Sequence, residues 1–207
     1  MLAGQGYALT LASRTREKVE AAAAELRAHP VTADLSKEED CLHVVEEHRA
    51  RHGRLDVLVN SAGVGIGGTL DVLETRYLDL QLDLNLRGLM LVTREALPLL
   101  REAHGLIVNI ASIAGTTATP PLPAYGVAKA GVIQFTKTLN AGEAEHGIRA
   151  TALSPGFVDT PMTSYRPVPP EEMIKAEDCA EVVRMLLELS PRARIPHIVI
   201  ERVSAMS

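Results

Sequence analysis

The chain has 207 residues, 46% of them hydrophobic, with 21 Lys and Arg against 26 Asp and Glu for a formal net charge of −5. That length suits one domain spanning 1–207 with a substantial core. The acidic balance, with no clustered Lys/Arg stripe, argues against a nucleic-acid partner. No apolar run reaches the ~18 residues of a membrane span and no signal-peptide pattern opens the chain, so a cytoplasmic protein with no membrane partner is expected.

Residues 7–13, YALTLAS, are apolar and β-capable, and TREKVEAAAAELRAH follows with Ala, Glu and Leu at helical spacing. A strand and then a helix are predicted. PVTAD predicts a short strand closed by Asp34. Ser36 with Glu39 three residues on predicts a capping box, opening a helix that runs to about Arg51. LDVLVN reads as a strand buried on both faces of a parallel sheet, running into the glycine-rich SAGVGIGG.

YLDLQLDLNL carries leucines at 78, 80, 82, 84 and 86, a period of two that by itself argues for a strand. Its polar positions are Asp, Gln, Asp and Asn, it has no β-branched residue, and helical spacing returns in RGLMLVTREALPLL. A helix is therefore expected, a reading the resemblance below also supports. HGLIVNIAS predicts a second buried strand, followed by the loop IAGTTATPPLP. A helix from about Ala124 to His146, the strand IRATALS, a proline-rich loop, a helix near Asp178 to Leu189 and the strand HIVIE complete the chain. RPVPPEE, Arg166 to Glu172, suits a plain connector and a substrate-covering loop equally. Alternating strands and helices imply right-handed βαβ units: a doubly wound, Rossmann-like parallel α/β sheet.

Cys41 and Cys179 lie far apart without C-x-x-C spacing and read as reduced, partly buried thiols. The seven histidines form no H-E-x-x-H and no Cys/His cluster, so they read as surface or helix-face residues and no catalytic metal is expected.

The chemistry concentrates in PAYGVAKAG. Tyr125 and Lys129 stand four apart and share a helix face. An ammonium beside a phenol favours the phenolate and moves a tyrosine toward general acid/base work. Ser112 lies thirteen residues before Tyr125, just past a strand's carboxyl end. Asn85, inside an apolar helix, requires a specific polar partner or a bound water.

Together with LVNSAG upstream and SPGFVDTP downstream, Asn85, Ser112, Tyr125 and Lys129 resemble the classical short-chain dehydrogenase/reductase family, a match extending to near Ser190. The resemblance implies that Tyr125 exchanges a proton with a carbonyl or alcohol oxygen, while Lys129 holds the nicotinamide ribose. Ser112 would hydrogen-bond the substrate oxygen, and Asn85 would fix a water in a proton relay. It implies cofactor contacts from Asp34 at the adenine and from Asn60, Ala62 and Gly63 along the dinucleotide. Pro155, Gly156, Val158 and Thr160 would lie near the nicotinamide. Ser61 departs from the asparagine commoner there. Arg14, after the first strand written here, would pair a 2′-phosphate, which favours NADP(H) with NAD(H) as the alternative. A solvated residue at a helix start is the plainer reading of Arg14.

Gly4 and Gly6 precede a strand, whereas a phosphate loop follows one and opens a helix. GVGIGG at 63–68 belongs to the NSAG loop. Aligned on the family, the chain is expected to be N-terminally truncated: the first strand, the glycine-rich loop and most of the first helix are missing, about 30 residues. In the order 3-2-1-4-5-6, losing that strand strips hydrogen-bond partners from two others and removes the pyrophosphate site. A start assigned too far downstream, a shortened version and a degenerate gene product compete as explanations.

The expected function is an oxidoreductase interconverting a small-molecule carbonyl and an alcohol, of the NADP(H)-preferring type. The tail ARIPHIVIERV resembles the family's small-alcohol and hydroxy-acid reductases. The rival is a non-catalytic binding or regulatory protein descended from a reductase. Gly126, Ala128, Ala130 and Gly131 suit close helix packing, and the resemblance implies a homodimer or homotetramer built on that helix.

Overall fold

Strand and helix alternate along the chain, as the hydrophobic pattern requires. The computed structural model describes residues 1–164 and 168–203, so Arg166 and Pro167 of the RPVPPEE stretch lie outside the described residues. The elements are β1 (Thr10–Ser13), α1 (Arg16–Leu26), β2 (His29–Thr32), α2 (Glu38–His52) and β3 (Val57–Asn60), followed by α3 (Thr75–Leu82) and α4 (Gly88–Ala103). The second half holds β4 (Leu106–Ile110), α5 (Pro123–Gly142), β5 (Arg149–Pro155), α6 (Ala176–Glu188) and β6 (His197–Ile200). Every pairing is parallel.

Helices cover both faces of the sheet, because alternate residues of its buried strands point opposite ways. Ile107 packs with Val45 of α2, Leu100 of α4 and Leu139 of α5. Its neighbours Leu106 and Val108 pack with Val183 and Leu186 of α6.

The strands fall into two groups, β2-β1 and β3-β4-β5-β6. Residues of both β1 and β3 line one cavity of about 750 Å³ between the groups, with Val19, Val45, Val92 and Ala96 in its apolar wall. In a parallel ladder a residue directs its N–H and C=O to the same side. Leu9 and Ser13 accept hydrogen bonds from His29 and Ala33, and Asp56 accepts from Leu106. Thr10 and Ala12 of β1, and Val57 and Val59 of β3, therefore aim their backbone groups into the gap. The expectation that LDVLVN is buried on both faces is corrected accordingly: β3 is an edge strand, only half-buried, with Val59 37% exposed.

Several boundaries also shift. Ser36 does not cap α2, which begins at Glu38 with Lys37 as N-cap; the Ser36 hydroxyl donates instead to Asp34 Oδ1 at 2.7 Å. The helix expected to reach His146 ends at Gly142, and a separate 3₁₀ turn covers Ala144–His146. The leucine-alternating stretch is helical as expected, but α3 and α4 are joined by a π-helical turn, Asp83–Arg87. Gly6 takes φ of +86° to end a 3₁₀ helix at Leu2–Gln5, a conformation that costs glycine nothing. That short helix runs into β1, the reverse of a phosphate loop's order.

Cys41 is buried and Cys179 half-buried, and both are free thiols; burial pushes the Cys41 thiol up to about 11. Three histidines act as fold contacts at the amino ends of β1 and β2. His48 bonds the Thr10 hydroxyl and the Arg54 carbonyl, each at 2.9 Å, and stacks on His52; His29 meets Glu47 at 3.1 Å. Among the described residues no helix is long and apolar enough to cross a membrane.

Candidate active site

The π-helical turn places Asn85, fully buried, against the loop that leaves β3. Its Nδ2 donates to the carbonyls of Val64 and Gln81, both at 2.8 Å, and its Oδ1 accepts from Val64 N at 3.0 Å. Both amide hydrogens are thereby engaged, so a water could reach this side chain only through the remaining Oδ1 lone pair. Gln81, one turn earlier and also fully buried, accepts from Ile66 N at 2.9 Å and donates to Tyr77 O at 3.1 Å. The two amides clamp the backbone of residues 64–66. Sequence reasoning missed Gln81, though its place four residues before Asn85 on the same helical face was visible.

Tyr125 and Lys129 lie on the first turns of α5, with Lys129 Nζ 5.6 Å from the Tyr125 ring centroid. Lys129 is 3% exposed and donates to Ile110 O, at the carboxyl end of β4, at 2.7 Å. Burial pulls its pKa from 10.5 down to about 8. Ser112 ends the same strand's exit, its Oγ accepting from Ala114 N at 3.2 Å. Two glycines make this assembly possible. A Cβ on Gly115 would lie 2.6 Å from the Lys129 carbonyl carbon, and one on Gly126 would lie 3.0 Å from Ala114 O. Without side chains there, α5 lies against the 113–115 turn, and Ser112 and Tyr125 come to line one cavity of about 130 Å³. Gly131 similarly admits Leu86, whose Cδ2 would be 2.8 Å from an added Cβ, and Ala128 is fully buried. These small residues, expected to serve packing between subunits, are used inside the chain; only Ala130 is exposed.

The other expected cofactor residues spread along the carboxyl ends of the strands. Gly63 sits where a Cβ would meet Asn85 Oδ1 at 2.6 Å and Lys129 Nζ at 3.5 Å. Ala62 is exposed and lines the large cavity between β1 and β3. Pro155 ends β5, and Gly156 lines the small cavity with Ser112 and Tyr125, its N–H donating to Ile200 O at 2.9 Å. Val158 bridges to Ile174, and Thr160 pairs through its N–H with Thr163 Oγ1 at 3.2 Å. At the far side, Asp34 follows β2, with its pKa held down first by the Ser36 hydroxyl and further by the charges of Lys37 and Arg14, against an opposing push from burial. Arg14 follows β1, is exposed, and makes no hydrogen bond or ion pair among the described residues.

Asn60 behaves differently from expectation. Its amide is turned inward, donating to Thr93 Oγ1 at 3.1 Å and Asn109 Oδ1 at 2.8 Å. Asn109 in turn donates to Thr136 Oγ1 at 3.0 Å, and both threonines donate to carbonyls one turn back in α4 and α5. This buried network, every member paired, ties both helices to β3 and β4. Alternating polarity in LVN and IVN marked both asparagines, but only the register Asn60↔Asn109 brings them together.

Two observations fit a nicotinamide dinucleotide along this edge. The buried Lys129 ammonium has three donors and one acceptor among the described residues, so a hydroxyl-rich ligand would satisfy it. Gly63 leaves no side chain between the 61–68 loop and that ammonium.

Comparison with known proteins agrees with this geometry. The family model for short chain dehydrogenase matches residues 1–168. An uncharacterized oxidoreductase of Staphylococcus epidermidis is 30% identical over 208 residues, covering 98% of this chain and 89% of that protein. Among solved structures, an alcohol dehydrogenase from Thermococcus sibiricus complexed with 5-hydroxy-NADP superimposes with a TM-score of 0.91 at 28% identity, covering 98% of this chain and 88% of that one. A 3-ketoacyl-(acyl-carrier-protein) reductase from Brucella melitensis complexed with NADH gives 0.85 at 29% identity, with coverages of 96% and 87%.

Proposed function

The chain belongs to the short-chain dehydrogenase family and is an oxidoreductase of it, and on that premise we propose that it interconverts a carbonyl and an alcohol, with NADP(H) preferred over NAD(H). One observation carries the reading: Tyr125, the buried Lys129 and Ser112 converge where β4 ends, beside a cavity of substrate size. When bound, the nicotinamide cofactor supplies or accepts the hydride.

The protein's own residues handle the proton and the orientation. Tyr125 donates its phenolic proton to the carbonyl oxygen in reduction and takes it back from the alcohol in oxidation. The Lys129 ammonium stabilises the phenolate that this leaves. Ser112, whose Oγ already accepts from Ala114 N, has its own O–H to donate to the substrate oxygen, fixing it next to the phenol. Asn85 is a positioning residue that works through the 64–66 backbone, and Gly63 beside it lets a ribose approach Lys129. Arg14, exposed and unpaired, suits a 2′-phosphate, which supports the NADP(H) preference. The alternative of a non-catalytic binding protein is not favoured, since it gives no reason to bury an ammonium against a phenol at this edge.

The test is a fluorescence titration of NADPH and NADH into the purified chain, followed by turnover of carbonyl substrates by wild type and Tyr125→Phe. Saturable binding selective for NADPH is expected, with Tyr125→Phe retaining that binding and losing turnover by about 10³-fold or more. Equal turnover by the variant would sink the assigned mechanism.

A further inference from the structure

We propose that the molecule reacting at Tyr125 is small and uncharged, a neutral ketone or aldehyde (or its alcohol) of about six heavy atoms. The chemistry rests on the reductase reading above; size and charge rest on the pocket alone. The cavity beside Tyr125 and Ser112 measures about 130 Å³. An apolar cavity of about 150 Å³ holds a molecule the size of benzene. A long acyl chain cannot be enclosed here.

The lining decides the charge. Ile113, Leu122, Phe157 and Met162 supply an apolar wall, and none of the described lining residues carries a formal charge. The nearest cations are already engaged: Lys129 donates to Ile110 O, and Arg202, 5.7 Å from the Phe157 ring centroid, pairs with Glu172 at 3.4 Å. The polar part of the wall consists of threonines whose protons are in use. Thr117 donates to Ile113 O at 3.1 Å, Thr119 to Thr117 O at 3.3 Å, and Thr163 to Val158 O. These hydroxyls offer lone pairs and no donor. An ionised carboxylate, which only accepts, would meet acceptors and lose its hydration without a paired cation. A neutral carbonyl uses the Ser112 and Tyr125 donors and lays its alkyl groups on the apolar wall, and a second O–H or N–H on it would find the threonine acceptors.

Isobutyramide and isobutyrate share a carbon skeleton and heavy-atom count and differ in charge, so their dissociation constants, read by ligand-detected NMR on the full chain with and without NADPH, isolate that difference. The amide is expected to bind at least about tenfold more tightly than the carboxylate. Thr117→Arg, on the exposed loop, should shrink or invert that ratio, with Thr119→Lys as a second variant should the first fail to fold. Equal or tighter binding of isobutyrate by the wild type, no binding of the amide, or a ratio unmoved by the folded variant overturns the inference. Turnover of 4-methyl-2-pentanone against 4-oxopentanoate is read separately. Failure to reduce either, with the amide preference intact, would strike the reductase reading and leave the pocket's selectivity standing.

Discussion

Replacing Lys129 by methionine removes a charge that the fold holds at a cost, and the cost has a pH signature. Burial pulls the Lys129 pKa from 10.5 to about 8. At about 1.36 kcal/mol per pH unit, that depression corresponds to ~3 kcal/mol of destabilisation while the group is charged. Below about pH 8 the ammonium is present in both folded and unfolded chains, and the full penalty is felt. Between about pH 8 and 10.5 the folded chain is neutral at this site while the unfolded chain still binds the proton, so stability from this group rises with pH. Above 10.5 the penalty is gone. The variant has no such dependence. Its unfolding free energy relative to wild type should therefore fall by ~3 kcal/mol between pH 7 and pH 10.5. Methionine also orphans the Ile110 carbonyl, which costs about 1–3 kcal/mol at every pH, so the diagnostic quantity is the slope and not the offset. Urea unfolding followed by circular dichroism at a series of pH values across that window measures it. A difference between the two proteins that stays flat with pH would refute the buried, uncompensated ammonium.

Asn85→Leu leaves Val64 N, Val64 O and Gln81 O without their partner, and at about 1 kcal/mol each should lower the unfolding free energy by ~3 kcal/mol, measured by denaturant titration. The same variant should raise the Kd for NADPH, because the loop carrying Gly63 is no longer clamped. Arg14→Ala should weaken NADPH binding by about tenfold and leave NADH binding unchanged, read by fluorescence titration; equal losses for both would remove Arg14 from the 2′-phosphate role. Hydrogen exchange should find the amides of Ala12 and Val59, which face the gap between β1 and β3, exchanging far faster than those of Val108 and Ala152, which lie within the four-stranded group. Matching protection would mean that the gap is closed in solution.

Much of the fold and of the site could be read locally. Strand and helix periods are short-range, so the βαβ alternation followed from residues within a turn or a strand of one another. Tyr125 and Lys129 share a face because four residues make about one helical turn, and Ser112 sits at a strand's end because the apolar run stops there. The leucine alternation from 78 to 86 shows where local reading turns ambiguous: one pattern suits two periods, and helix-forming polar residues decided it. Where side chains from distant segments meet, sequence alone had no purchase. The π-helical turn at Asn85 depends on a loop twenty-one residues upstream needing its amide, and the same loop recruits Gln81. Asn60 turns inward because the β3-β4 register sets Asn109 beside it. Gly126 and Gly131 look like a surface for a partner until the 113–115 turn and Leu86 are seen to occupy that space. Val59 looks like core until the strand order makes β3 an edge. The sequence by itself determined which chemistry the chain carries, because catalytic spacing is written along a helix and a strand end. Tertiary structure alone decided what that chemistry can receive, because the size and charge of a pocket are set by side chains that only folding brings to one wall.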